Sequence, residues 1–243
     1  MTKRPPDRPE DIYQELSQDL AGELGTDLLG VCLYGSAAAG RYVKGRSDLN
    51  LLILVADHTS RVVSRLMPFY KKWAPAGLAP PLILTPSYLA SSLDVFPIEF
   101  LVMAASHQCI FGRDPLEGLN LEPGLLRLQL EREIKGKLTA LRSRLLSSGG
   151  EPKALKGLAD QALPAFTAYF QTWLHLTRGD FPNDPEQVLL RVREAGLEVD
   201  AFVKLNRLRR GEYRPRDREL MGLWEEAVQE LETICRQVDG LAV

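Results

Sequence analysis

The sequence of 243 residues predicts an α/β (α+β) sheet domain over residues 1–118, followed by an all-α helical bundle domain over residues 119–243. Two observations lead to this prediction. Helix-like and strand-like segments alternate through the first part, as they do in domains built on a sheet. From Gly124 onward, apolar residues recur only at three- and four-residue spacing, which is typical of packed helices. The change of pattern falls near residues 119–123, after the turn-forming segment 112–115.

In the first part, the apolar pattern predicts both helices and strands. A helix is expected at 9–24, where Leu16, Leu20 and Leu24 lie on one stripe, and Pro9 suits the first turn of that helix. A second helix is expected at 59–73. Runs of four to eight mainly apolar residues predict strands at 28–35, 48–55, 82–85 and 97–103, with 108–111 as a further candidate.

In the second part, a repeat of leucine and isoleucine from Leu130 to Leu145 predicts a first long helix, which the Ser147–Gly150 cluster ends. A second long helix is expected at 153–177. Shorter helices are expected at 185–195 and 199–209, and a last one at 217–238. Because each long helix carries a continuous apolar stripe, the helices are expected to bury these stripes against one another.

Composition limits the function further. Apolar residues make up 45% and charged residues 26% of the chain, as in soluble globular proteins, and the net charge of −2 does not favour a nucleic-acid partner. No apolar run reaches the length that spans a bilayer, so no membrane association is expected. The charged N-terminal segment lacks an apolar signal-peptide core, which predicts a cytoplasmic protein. The three cysteines, Cys32, Cys109 and Cys235, are far apart in sequence and predict small buried side chains rather than disulfides or a metal site.

The segment 33–55, LYGSAAAGRYVKGRSDLNLLILV, carries the strongest chemical signal. An apolar strand ends in Gly35 and Ser36, an eleven-residue loop follows, and Asp48 opens the next apolar strand. Gly35 has no side chain and lets phosphate oxygens approach backbone N–H groups, while Ser36 adds a hydroxyl donor. Asp48 offers a carboxylate to Mg²⁺, a hard cation that prefers oxygen ligands.

The same loop contains the cations Arg41, Lys44 and Arg46. They are suited to neutralising a phosphate group. Solvated loop charges are the equally good alternative.

This order of residues resembles the active-site signature of the DNA polymerase beta-like nucleotidyltransferase superfamily. In that superfamily a Gly-Ser pair at a strand end holds a nucleoside triphosphate, and an Asp-x-Asp on the next strand holds catalytic magnesium. The resemblance implies a nucleotidyltransferase-type sheet domain with Gly35, Ser36 and Arg46 at the nucleotide and Asp48 as a catalytic, metal-binding residue. It also implies Mg²⁺ as cofactor and ATP or another NTP as substrate.

The superfamily has a third acidic residue on a downstream strand, and the segment 97–102, PIEFLV, fits that description. The resemblance therefore implies Glu99 as a catalytic and metal-binding residue. Burying a lone carboxylate among apolar residues is costly without a partner, which favours a metal or a substrate proton beside Glu99. The alternative is an exposed glutamate on an edge strand.

Asn50 is the departure from the signature, because it stands where the second aspartate is expected. Its amide oxygen can ligate one cation, so Asn50 remains a predicted metal ligand. A neutral amide is nevertheless a poor bridge between two cations. The loss of a carboxylate there would reduce the rate by roughly 10²- to 10⁴-fold if two metals are needed.

Two functions follow from these residues. The first is a Mg²⁺-dependent transferase that moves a nucleoside monophosphate from NTP to a hydroxyl of an unidentified small molecule, with the bundle as the other wall of the acceptor cleft. It is nearest to the small-molecule, aminoglycoside adenylyltransferase-like branch of the superfamily, whose members carry a C-terminal helical bundle. The alternative is a degenerate member that acts as a nucleotide-sensing or protein-binding module. Homo-oligomerisation is left open.

The helical half offers two further signals. His175 is its single histidine, and no arginine precedes it at the distance that helical ribonuclease partners of such domains require, so a ribonuclease is not favoured. The segment Arg207–Arg218 holds six arginines in twelve residues. It is suited to a triphosphate, RNA or an acidic protein, and a solvated charged surface is the simpler interpretation.

Overall fold

The computed structural model describes residues 3–57 and 60–242. The chain forms two compact units, one ending at Leu121 and the other beginning at Glu122. They are called here the sheet unit and the helical unit.

The sheet unit contains four helices and four strands among its described residues. A 3₁₀ turn, Pro9–Ile12, leads into helix α1, and the expected 9–24 segment is helical throughout. Thr59, the first residue of the second predicted helix, lies outside the described residues. In chain order the elements are α1 (Tyr13–Leu24), β1 (Leu28–Tyr34), β2 (Asn50–Val55), α2 (Ser60–Trp73), β3 (Leu82–Leu84), α3 (Pro86–Ser92), α4 (Pro97–Ala105) and β4 (His107–Gly112).

The four strands form one mixed sheet in the order β3-β2-β1-β4. Strand β1 runs antiparallel to both neighbours, and β2 and β3 are parallel. Tyr34 at the end of β1 lies opposite Asn50 at the start of β2 and opposite His107 at the start of β4. The ends of three strands therefore meet at one edge of the sheet.

Alternation along the strands creates two apolar faces. Val31 and Leu33 of β1 join Leu51 and Ile53 of β2 in a core with α1 and α2. On the opposite face, Leu52 and Leu54 pack against residues of α3 and α4, including Phe100 and Met103. Helices thus cover both faces of the sheet. A ligand can reach the polar residues at the strand ends only from the edge of the sheet.

Two predictions about the sheet unit are wrong. Residues 97–103 form helix α4 instead of a strand, so Glu99 stands in the first turn of a helix. The buried positions, Pro97, Ile98, Phe100 and Leu101, have helical spacing, and Pro97 occupies a position in the first turn where its missing N–H costs nothing. Thr85, predicted at the end of a strand, caps α3 instead, because its Oγ1 accepts the N–H of Tyr88 at 3.1 Å.

The helical unit contains α5 (Pro123–Ser147), α6 (Pro152–Arg178), α7 (Pro185–Glu194), α8 (Asp200–Arg209) and α9 (Leu220–Asp239). Helix α6 contacts each of the other four, and α9 also contacts α5 and α8. The core contains Phe166, Phe170 and Phe202, whose rings meet edge to face at 5.2 Å between the centroids of Phe202 and each of the others. Five helices that bury their apolar stripes on one another agree with the predicted all-α bundle.

Among the described residues, no single helix has the length and apolar character needed to cross a membrane. Helices α3 and α4 meet that criterion of length and composition only when they are taken as a pair, across a bend of 115°.

Candidate active site

Gly35 forms the turn at which β1 ends. Its φ is +79°, a backbone conformation that L side chains rarely adopt. The Gly35 N–H donates to the carbonyl oxygen of Ser106 at 3.0 Å, and the Gly35 carbonyl accepts the N–H of Ala39 at 2.9 Å. The turn is therefore fixed both to the segment that follows α4 and to its own loop.

Asn50 begins β2, and Asp48, predicted to open that strand, lies two residues before it. Leu49 between them is fully buried, and its backbone is held by the carbonyl of Gly77 and the N–H of Ala79, at 2.8 and 3.1 Å. Because side chains alternate along an extended chain, Asp48 and Asn50 point to the side opposite Leu49. The two predicted metal ligands therefore share one side of this extended segment.

The Gly35 turn and Asn50 are in contact. A Cβ atom added to Gly35 would lie 3.3 Å from Asn50 Nδ2, and Tyr34 pairs with Asn50 across the strands. The structure therefore brings together the predicted phosphate-binding turn and one of the predicted metal ligands. The absence of a side chain at Gly35 leaves the space that Asn50 borders.

Asp48 is exposed, and its side chain has no hydrogen-bond or ion-pair partner among the described residues. A carboxylate with no partner is available to a ligand. Together, Asp48 and Asn50 offer one carboxylate and one amide oxygen. Mg²⁺ is commonly held by one or two carboxylates together with substrate phosphates and water, so this donor set fits a single Mg²⁺.

The loop cations differ in their surroundings. Lys44 forms an ion pair with Asp7, with Nζ 2.7 Å from Oδ1. Arg46 is exposed in a turn closed by the Ser47 N–H and the Val43 carbonyl at 2.8 Å. The side chains of Arg46 and Arg41 have no ion-pair partner within the described part of the chain. Arg46 is thus free to meet a phosphate, whereas Lys44 is already paired.

Glu99 is exposed on α4, the helix that covers the sheet face carrying Leu52 and Leu54. Asn50 belongs to that same face by alternation. The structure thus places Glu99 on the side of the sheet to which Asp48 and Asn50 point, but not on a neighbouring strand. Its predicted role as a metal ligand rests on a strand that does not exist, and its access to solvent suits a proton acceptor better.

A polar cluster that the sequence did not predict lies on the same sheet face. Cys32 of β1 is directly opposite Cys109 of β4, and Asp114 lies beneath both. Cys32 is buried as predicted, but Cys109 is partly exposed, in contrast to the prediction of a buried side chain. The sequence does not predict that Cys32 and Cys109 are neighbours, because residues paired on adjacent strands need not be close in the chain.

In the helical unit, His175 lies in the last turn of α6 with its ring edge-on to Phe181, at 6.4 Å between centroids. Burial lowers the His175 pKa below its usual value.

The arginine-rich segment 207–218 forms ion pairs within the helical unit. Arg210 Nη1 lies 2.8 Å from Glu186 Oε2, and Arg209 Nε lies 3.8 Å from Asp160 Oδ1. These contacts agree with a solvated charged surface for that part of the segment.

Comparison with known proteins agrees with this architecture. No family model matches the chain, and no curated protein sequence matches it either. Solved structures do match, and they show that the chain has a nucleotidyltransferase-like fold, with a sheet domain followed by a helical region.

One of these structures is the spectinomycin adenyltransferase AAD(9) from Enterococcus faecialis, solved with ATP and spectinomycin. The match has a TM-score of 0.53 and covers 93% of this chain and all of that one. Sequence identity is 12%, so the similarity concerns the fold alone.

Proposed function

We propose that this protein transfers a nucleoside monophosphate from ATP or another NTP to a hydroxyl of a small molecule, with Mg²⁺ as cofactor. The observation that carries the proposal is the contact between the Gly35 turn and the start of β2, where Asp48 and Asn50 share one face. The match to an adenyltransferase solved with ATP and spectinomycin supports a nucleoside triphosphate and a small molecule as the two substrates.

Each residue has a distinct role in this proposal. The backbone at Gly35 and the Ser36 hydroxyl hold the triphosphate, and Arg46 neutralises part of its charge. Asp48 and Asn50 hold Mg²⁺, which would offset the charge that develops on the phosphate oxygens. Glu99 is proposed to accept the proton of the acceptor hydroxyl, a role that its exposure on α4 permits.

Calorimetric titration with a non-hydrolysable ATP analogue, with and without Mg²⁺, tests the site. Wild-type protein should bind the analogue more tightly with Mg²⁺, and Asp48→Asn should remove that difference while far-ultraviolet circular dichroism stays unchanged. Asp160→Asn is the matched control, because this aspartate has a 70% exposed side chain in the helical unit. Equal Mg²⁺-dependent binding by Asp48→Asn and the wild type would refute the proposed site.

Asn50 supports a second candidate function, a nucleotide-binding module without turnover. With one carboxylate in the strand pair, the chain holds nucleotide but lacks a charged bridge for a second cation. The comparison of Asn50→Asp with the wild type separates the two functions by pyrophosphate release. If the protein is a transferase, the rate should rise and the Mg²⁺ requirement should fall.

If the protein only binds nucleotide, Asn50→Asp should show no turnover and should bind more weakly without metal, because a second negative charge faces the phosphates. Glu99→Gln in the same background is the control, since any activity gained should then disappear. A wild-type protein that turns over and is slowed by Asn50→Asp would contradict both versions.

A further inference from the structure

Three side chains with metal-ligating atoms meet on β1, β4 and the segment after β4, and a histidine lies beside one of them. Cys32 and Cys109 are Cα partners on neighbouring antiparallel strands. The two sulfur atoms and a carboxylate oxygen of Asp114 all lie within 4.8 Å of one another. His107, at the start of β4, places its Nε2 at 3.0 Å from the Asp114 Oδ2. None of these four residues belongs to the proposed nucleotide site.

A close approach of the backbone at residues 112–113 to β1 places Asp114 next to that strand. A Cβ atom on Gly30 would lie 2.0 Å from the Arg113 carbonyl oxygen, and one on Gly112 would lie 2.3 Å from the Leu29 carbonyl oxygen. Only glycine fits at such distances. This close crossing, closed by the Arg113 N–H to the Leu29 carbonyl at 2.9 Å, fixes the position of the next residue.

Asp114 is held in one orientation. Its Oδ1 accepts the Leu116 N–H at 2.9 Å and lies 3.7 Å from Cys32 Sγ. In a tetrahedral zinc site, bond lengths of about 2.3 Å to sulfur and 2.0 Å to oxygen put those two ligands roughly 3.5 Å apart. The observed spacing is close to that value.

His107 is fixed between two oxygen atoms. Its Nδ1 lies 2.8 Å from the Ala104 carbonyl oxygen, and its Nε2 lies 3.0 Å from the Asp114 Oδ2. His107 therefore holds the Asp114 carboxylate in place. Carboxylates that bind a metal are commonly oriented by a hydrogen bond from a further residue in this way.

Donor chemistry and access point to the class of cation. Two cysteine sulfurs with one carboxylate oxygen select Zn²⁺ and similar soft or borderline metals, in contrast to the oxygen donors at Asp48 and Asn50 that suit Mg²⁺. Cys32 is fully buried, but Cys109 lies partly exposed on β4, an edge strand of the sheet. A cation can therefore enter from that edge.

We propose that Cys32, Cys109 and Asp114 bind a divalent cation of the Zn²⁺ class, with His107 as the positioning residue that holds the Asp114 carboxylate. The bound cation would join β1 to β4 at the paired positions Cys32 and Cys109. The site is distinct from the proposed Mg²⁺ position. It requires no assumption about the reaction of the protein.

Cobalt substitution tests the proposal on the full-length protein without a histidine tag, reduced with a phosphine and stripped of metal by a chelator. One Co²⁺ should bind, with a thiolate-to-cobalt charge-transfer absorption and the intense visible bands of tetrahedral Co²⁺, and Zn²⁺ should displace it. Cys109→Ser should weaken the absorption and lower Zn²⁺ affinity at least about tenfold, and His107→Ala should lower it by about 10- to 100-fold.

Cys235→Ala is the matched control, because Cys235 is a cysteine of α9 in the helical unit and should leave binding unchanged. Cys109→Ser is preferred to Cys32→Ser, since Cys109 is partly exposed and its replacement preserves the core. A wild-type protein without the thiolate band, or a Cys109→Ser variant with undiminished affinity, would overturn the proposal.

A cross-strand disulfide between Cys32 and Cys109 is the alternative to a metal site. A count of reactive thiols in unfolded protein prepared without reductant distinguishes the two. Three reactive thiols are expected after a chelator removes the cation, one for each cysteine. A single thiol, with the other two restored only by reductant, would show a cross-strand disulfide between Cys32 and Cys109. That outcome would replace the metal site.

Discussion

The geometry of the candidate nucleotide site depends most on Gly35. Its positive φ turns the chain at the end of β1, and its missing side chain leaves Asn50 in contact with the turn. The turn needs both the positive φ and the missing side chain. A residue with a side chain that tolerated the φ value would still displace the Asn50 amide. Gly40 and Gly45 in the same loop also have positive φ, but an added Cβ would meet nothing within 4 Å at either.

We expect Gly35→Ala to lower the free energy of unfolding by about 1–2 kcal/mol, because an L side chain is strained in the left-handed region. It should also lower the affinity for an ATP analogue, since the methyl group fills the space beside Asn50. Gly40→Ala carries a similar backbone cost without that contact. Urea unfolding and calorimetry on both variants should show a similar loss of stability but a loss of affinity in Gly35→Ala alone.

The loop cations allow a second comparison at this scale. Arg46→Ala should weaken binding of the ATP analogue by about 5- to 30-fold, the equivalent of about 1–2 kcal/mol. Lys44→Ala should change it little, because Lys44 is paired with Asp7. The Arg46 contribution should shrink at high salt, since the side chain is exposed and screened. Equal losses in both variants would show that the loop acts only through its total charge.

At the scale of elements, helix α4 shows why a short apolar run is ambiguous. The segment Pro97–Ala105 contains one charged residue among nine, so its pattern cannot distinguish a buried strand from a buried helix. Packing decides, because Phe100 and Met103 fill the space over Leu52 and Leu54 only when the segment is helical. This is the physical reason that Glu99 was predicted on the wrong kind of element.

Helix α8 begins without a capping side chain of its own, since Val199 occupies the cap position. Glu230 of α9 takes over that function. Its carboxylate oxygens accept the N–H groups of Ala201 and Phe202 at 2.8 and 3.3 Å. We expect Glu230→Ala to lower the free energy of unfolding by about 0.5–2 kcal/mol, the range for the loss of a helix cap. Denaturant unfolding of the full chain measures this.

The same carboxyl group should make stability depend on pH. Burial raises the Glu230 pKa above its usual value, and the two N–H groups that favour the charged form do not outweigh it. Folding therefore favours the protonated acid. The contribution of the protonated Glu230 carboxyl to the free energy of unfolding is complete below about pH 4.3, the usual pKa of glutamate. It is lost as pH rises through the higher pKa that Glu230 has in the folded protein. Relative to Glu230→Gln, wild-type stability should fall as pH rises above about 4.3, and a rise would contradict the shift.

At the scale of the whole molecule, each compact unit has an apolar core of its own. Leu119 and Leu121 are partly buried against the core that contains Phe100 and Met103, although they follow the boundary predicted at residue 118. We therefore expect a fragment that ends at Leu121 to unfold with about 1–3 kcal/mol more free energy than one that ends at Gly118, from the apolar area the two leucines bury. Urea unfolding of both fragments measures the difference, and equal midpoints would place these leucines outside the core.

The sequence by itself determined the order of helices and strands in most of the chain, the division into a sheet part and a helical part, and the Gly35-Ser36 and Asp48 motif. These features are local. A turn glycine, an apolar strand and a helical stripe are each specified within a few residues, and the motif connects adjacent strands through one short loop.

Only the tertiary structure decided that 97–105 is helical and that Lys44 is paired, whereas Arg46 has no ion-pair partner among the described residues. It also decided that Cys32 and Cys109 face each other close to Asp114. Each of these facts depends on contacts between residues far apart in the chain. The Cys32–Cys109 pair in particular requires the register of β1 against β4 and the close crossing at Gly30 and Gly112. No local pattern encodes strand register between distant segments, because the energy that fixes it comes from burial of whole sheet faces.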